Sequence, residues 1–116
     1  MRMPKHVTEA EMTRVIKLLE QRGAWGISRE EFPELFGTDR RGRQVMAELR
    51  KRGRAAVVVT TGPDGREVYR LAQNEAEYRA FKAKLLSRIK ELEASLAGME
   101  RAWEAGGVRV AQEQLF

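Results

Sequence analysis

The sequence predicts a mainly α-helical protein with one small β-hairpin and a long C-terminal helix. Three observations carry this. Apolar residues recur at helical spacing in separate blocks, each opened by a capping residue. One block alone, residues 55–71, turns to β-branched and alternating patterning around a Gly-Pro-Asp-Gly turn. From Asn74 onward, neither proline nor glycine interrupts the chain until Gly98. At 116 residues, with 42% hydrophobic and 34% charged content, one domain plus an appendage fits and a second full core does not.

Thr8 followed by Glu11 has the spacing of a capping box and starts a helix. Met12, Val15, Ile16 and Leu19, widened by Leu18, set its apolar stripe, and Gly23 closes it, giving a helix over about Glu9 to Arg22. Trp25-Gly26-Ile27 reads as a brief extended connection, with Trp25 expected to plug the core. Ser28 and Glu31 repeat the box, opening a short helix that ends near Gly37. Pro33 removes a backbone donor there, so this helix is either kinked or starts later than the box. Thr38 or Asp39 caps a third helix, in which Val45, Met46 and Leu49 face inward and Gly53 ends the run. Gly42, one turn earlier, is placed for close helix approach. The hairpin follows, pairing residues 55–61 with Glu67 to Leu71. Asn74 and Glu77 then open the last helix, running to Ala105, about 46 Å at 1.5 Å per residue.

Composition excludes several chemistries. With no cysteine and a single histidine, His6, the chain offers no disulfide, thiolate, iron–sulfur or His-rich metal site. No nucleophile and base grouping or phosphate-cradling loop appears, and Glu30, Glu31 and Glu34 read as helix-start residues. The expectation is a non-enzyme with no cofactor and no metal. No apolar run approaches a membrane span and the start lacks the apolar stretch of a signal peptide, so a soluble, cytoplasmic protein is expected.

Charge is the informative quantity. The formal net charge is +5, yet residues 74–116 hold seven cations and seven acids, so the whole excess belongs to residues 1–73. Arg40, Arg41, Arg43, Arg50, Lys51, Arg52 and Arg54 stand within fifteen residues beside one acid, Glu48. One acid cannot neutralise seven cations by i,i+4 pairing, so a polyanionic partner is indicated over a merely solvated face. With Val45, Met46 and Leu49 inward, Arg40, Arg43, Gln44, Ala47 and Lys51 fall on one outward face.

The order of elements, with Ile27-Ser28-Arg29-Glu30-Glu31-Phe32 and the run Thr38 to Gly53, resembles the winged helix-turn-helix family over residues 8–72. The resemblance is to versions common in small bacteriophage and bacterial DNA-binding proteins. Gly42 departs from the apolar residue expected there. The resemblance implies that the third helix is a recognition helix in the major groove, where Arg reads guanine and Gln reads adenine. Arg50, Arg52 and Arg54 would then meet phosphates, and Arg66 at the tip of the hairpin would reach an adjacent backbone or minor groove.

Along the last helix Tyr78, Phe81, Leu85, Ile89, Leu92, Leu96, Met99 and Trp103 form a near-heptad seam. The expected use of Leu85, Ile89, Leu92, Leu96, Met99 and Trp103 is a coiled-coil homodimer, with folding back on the first helix as the alternative. After Gly106-Gly107 the chain ends Gln112-Glu113-Gln114-Leu115-Phe116, which resembles the bacterial sliding-clamp binding peptide. That resemblance implies amide hydrogen bonds from Gln112 and a partner pocket for Leu115 and Phe116. The expected organisation is a DNA-binding domain over 1–73, a dimerisation helix over 74–105 and a tail over 106–116. The expected function is double-stranded DNA binding, sequence-reading or general, by a dimeric transcriptional regulator or phage or plasmid replication accessory factor. The competing class is an adaptor that docks on a sliding clamp or another replication partner through its tail.

Overall fold

A computed structural model describes residues 6–106. The described chain is mainly helical, with one antiparallel hairpin and a long C-terminal helix: α1 (Glu9–Arg22), α2 (Phe32–Phe36), α3 (Asp39–Lys51), β1 (Val57–Thr61), β2 (Glu67–Leu71) and α4 (Glu75–Glu104). It divides into two compact units, with the boundary between Phe81 and Lys82. The first two turns of α4 therefore belong to the N-terminal unit.

The Thr8 hydroxyl accepts from the Glu11 amide at 3.1 Å and begins α1. Val7, before the cap, and Met12, four residues after it, are both buried, the placement of a hydrophobic staple. Only half of the expected box serves the cap, because the Glu11 carboxylate reaches across to α3 instead. The Ser28–Glu31 box closes, but on a single 3₁₀ turn, Arg29–Glu31. Helix α2 starts after that turn with Pro33 in its second position, where a missing amide proton costs no helical bond. Proline thus sets the start of α2 and does not kink it. Thr38 caps α3 through the Arg41 amide at 3.0 Å.

Helices α1, α2 and α3 enclose one core built on Met12, Val15, Leu19, Ile27, Phe32, Phe36, Val45, Met46 and Leu49, with Val57 joining from the hairpin. Gly42 lies against the Phe32 ring so closely that a Cβ would stand 2.4 Å from two ring carbons. The ring in turn meets Phe36 edge-on at 5.3 Å and Tyr69 at 5.1 Å. The hairpin pairs Val57 with Leu71 through to Thr61 with Glu67, and Gly65 takes φ 84° in its turn. Ile27 exchanges two 2.8 Å backbone bonds with Tyr69, adding a one-residue third rung on the outer side of β2.

Trp25 does not plug the core. It is 60% exposed, because it ends a 3₁₀ turn, Gly23–Trp25, and Ile27 takes the buried place two residues later.

Candidate nucleic-acid interface

Helix α3 turns Val45, Met46 and Leu49 into the core and leaves a stripe of Arg40, Arg43, Gln44, Ala47 and Lys51 on its other side. Arg40, Arg43 and Lys51 are exposed, Gln44 and Ala47 half-buried. The separation from Arg40 to Lys51 is about 16 Å along the axis at 1.5 Å per residue. The first half of the α3 stripe bears on Asp39, which accepts from Arg29 at 2.8 Å and from Arg43 at 3.0 Å. The Arg29 hydrogen bond holds the Asp39 carboxyl below its ordinary range, assisted by the Arg43 charge.

The seven cations between residues 40 and 54 have different situations. Arg41 is buried: its guanidinium meets the Glu11 carboxylate at 2.6 Å, each side chain about a tenth exposed, and donates to the His6 carbonyl at 3.2 Å. Arg50 is half-buried, donates from Nε to the Val57 carbonyl at 2.8 Å and lies 4.9 Å over the Phe81 ring. Its Nη2 is buried with no hydrogen-bond partner among the described residues, and burial pushes the guanidinium pKa down. Both arginines are thus fastened within the fold.

Arg52 pairs with Glu48 at 3.0 Å and stands 3.7 Å from Glu9, while Arg54 meets Glu9 and Thr13. The seven cations therefore do not face a single acid, as the sequence count implied. Glu9 and Glu11 come from α1, and Asp39 lies one residue outside the counted segment. Arg40 and Lys51 remain with no ion partner among the described residues. Arg66, at the hairpin tip, stands 3.5 Å from Glu30 and 3.6 Å from Asp64. It borders a cleft of about 320 Å³ that Trp25, Glu31 and Glu34 also line. Carboxylates outnumber cations in that lining, with Glu30, Glu31, Glu34 and Asp64 against Arg22 and Arg66.

One buried pair escaped the sequence reading. Arg70 is buried on β2, meets Glu77 of α4 at 2.6 Å and donates to the Ala24 carbonyl at 2.8 Å. The Arg70 hydrogen bond holds the Glu77 carboxyl below its ordinary range. The signal was available: Arg70 shares its strand face with buried Val68, and a cation on an inward position requires a partner.

On α4, Leu92, Leu96, Met99 and Trp103 are each more than half exposed, and Leu85 and Ile89 are 37% and 48% exposed. The tail residues Gln112, Leu115 and Phe116 lie outside the described residues. Among the described residues, no helix is long and apolar enough to cross a membrane. Compared with protein families, with curated proteins and with solved structures, the chain matches none.

Proposed function

We propose that this protein binds double-stranded DNA through the outward stripe of α3 and does so as a dimer joined through α4. The observation that carries the reading is the stripe itself, where Arg40 and Lys51 stand exposed, without an ion partner among the described residues, at either end of a face bearing Arg43, Gln44 and Ala47. Arg43, Arg52 and Arg54 add to it, because their pairs are exposed and such pairs contribute only about 0–1 kcal/mol. A phosphate can take the carboxylate's place at little cost. The element order α1, α2, α3, β1, β2 is compatible with the winged helix-turn-helix resemblance, which supports α3 as the reading helix. The dimer reading draws on the uncovered apolar seam of α4 and would present two such helices to two half-sites. Regulation of transcription and assistance to replication are both served by that arrangement.

The test is anisotropy titration of a labelled duplex at low salt, repeated across a salt series. Arg40→Ala and Lys51→Ala should each weaken binding and lower the salt slope by roughly 0.9 for every phosphate that is no longer neutralised. Absent binding at low salt, or affinity indifferent to both changes, overturns the reading.

A further inference from the structure

The charge on α4 is divided by position. From Arg79 to Lys90 the helix carries Arg79, Lys82, Lys84, Arg88 and Lys90 with no acid. From Glu91 to Glu104 it carries Glu91, Glu93, Glu100 and Glu104 with Arg101 alone in opposition. The sign changes between adjacent residues, Lys90 and Glu91, near the middle of the exposed seam. In heptad terms Leu85, Leu92 and Met99 occupy d, while Lys82, Ile89, Leu96 and Trp103 occupy a.

We propose that α4 pairs with α4 of a second copy in antiparallel orientation, with the two-fold axis between Lys90 and Glu91. The proposal rests on the dimer reading above and adds the orientation and register. In this register each a residue meets a d residue: Ile89 faces the partner's Leu92, Leu85 faces the partner's Leu96, and Lys82 faces the partner's Met99. The basic half of each helix lies along the acidic half of the other. At the flanking e positions, Arg79 of each chain, which within its own helix meets Glu75 in an exposed i,i+4 pair, comes beside the partner's Glu100, giving two symmetric pairs.

A parallel arrangement in register distributes the same residues less well. Cations face cations over residues 79–90 and acids face acids beyond, and Lys82 meets the partner's Lys82 inside the seam. Its compensation is two pairs of Arg88 with the partner's Glu93, matched by the two Arg79 pairs of the antiparallel form. Ile89 at a with Leu85 and Leu92 at d suits parallel packing, but Lys82 and Trp103 at a do not. The division of charge decides between them, since unlike halves adjoin only when the helices run in opposite directions.

The chain has no cysteine, so single cysteines report on proximity without background. Leu85→Cys and Leu96→Cys are prepared separately in the full chain, then oxidised alone and as a mixture. A disulfide in the mixture joining the two variants, with neither linking to itself, is the expected result. Self-linked Leu85→Cys overturns the antiparallel orientation and leaves the dimer reading standing. In sedimentation measurements, Arg79→Glu should weaken self-association by about tenfold, and adding Glu100→Arg in the same chain should restore it. No restoration overturns the register. A wild-type chain that sediments as a monomer overturns the dimer reading with this inference, while duplex binding, measured independently, continues to judge the role of α3.

Discussion

Replacing Gly42 by alanine sets two effects of known size against each other. In an ordinary helix interior, Gly→Ala stabilises by about 1 kcal/mol because alanine loses less backbone freedom. Here the new methyl would stand 2.4 Å from two carbons of the Phe32 ring, against roughly 3.5–4.0 Å for a comfortable carbon contact. The ring has little room to withdraw, being fully buried with Phe36 and Tyr69 packed on it. Overpacking of this kind costs about 1–3 kcal/mol, and the short distance argues for the upper end. The expected net result is a loss of about 2 kcal/mol, or roughly 10 °C in Tm for a domain of this size. Circular dichroism followed through urea and thermal unfolding measures it. The penalty should shrink in a Phe32→Leu background, where a branched side chain can swing aside. If Gly42→Ala stabilises the otherwise unchanged protein, the close packing of α3 on Phe32 is refuted.

Other outcomes follow from the ion pairs and from Trp25. Glu11→Gln leaves the Arg41 guanidinium buried without its counter-charge and should cost about 3 kcal/mol, whereas Glu11→Leu with Arg41→Met should recover most of that loss; equal urea midpoints for Glu11→Gln and wild type would contradict the pair. Trp25→Ala, at a 60% exposed site, should change stability by no more than about 0.5 kcal/mol, and a large drop in the urea midpoint would restore Trp25 to the core. The Arg70 hydrogen bond lowers the Glu77 carboxyl, so the folded state binds that proton less readily than the unfolded state. Its contribution is complete above the ordinary carboxylate value of about 4.3 and is lost as pH falls through the lower folded value. Urea midpoints between pH 5 and 2 should therefore fall less steeply in Glu77→Gln, and an unchanged profile would remove Glu77 from the account.

Much of the fold was legible because local signals agreed with one another. Thr8, Thr38 and Asn74 cap where the apolar spacing begins, and Gly62-Pro63-Asp64-Gly65 turns where β-branched residues flank it. Pro33 left two starts open for α2, and backbone hydrogen bonding selects the later one. The stripe on α3 was legible too, since helical periodicity divides Arg40, Arg43 and Lys51 from Val45, Met46 and Leu49. What could not be read were the partners of the arginines. Glu11 and Arg41 are thirty residues apart, and Glu9 and Arg54 forty-five, so a count within one segment missed both neutralising acids. Trp25 was misplaced for a related reason: size and hydrophobicity favoured the interior, but chain geometry gave that place to Ile27.

The Ile27 rung on β2 and the Arg50 bond to Val57 on β1 have a bearing on how copies of this chain meet. Val57 to Thr61 is a run of five β-branched residues, the composition that recruits further strands when an edge lies open. On the β2 side, Ile27 occupies the donor and acceptor of Tyr69 that another strand would need. On the β1 side, the Arg50 guanidinium occupies the Val57 carbonyl and places a cation against any incoming backbone. The hairpin is thereby stoppered at both flanks by groups from elsewhere in its own chain. Addition of a further strand is thus opposed at Tyr69 on one side and at Val57 on the other, without any charged residue on the strand β1 itself.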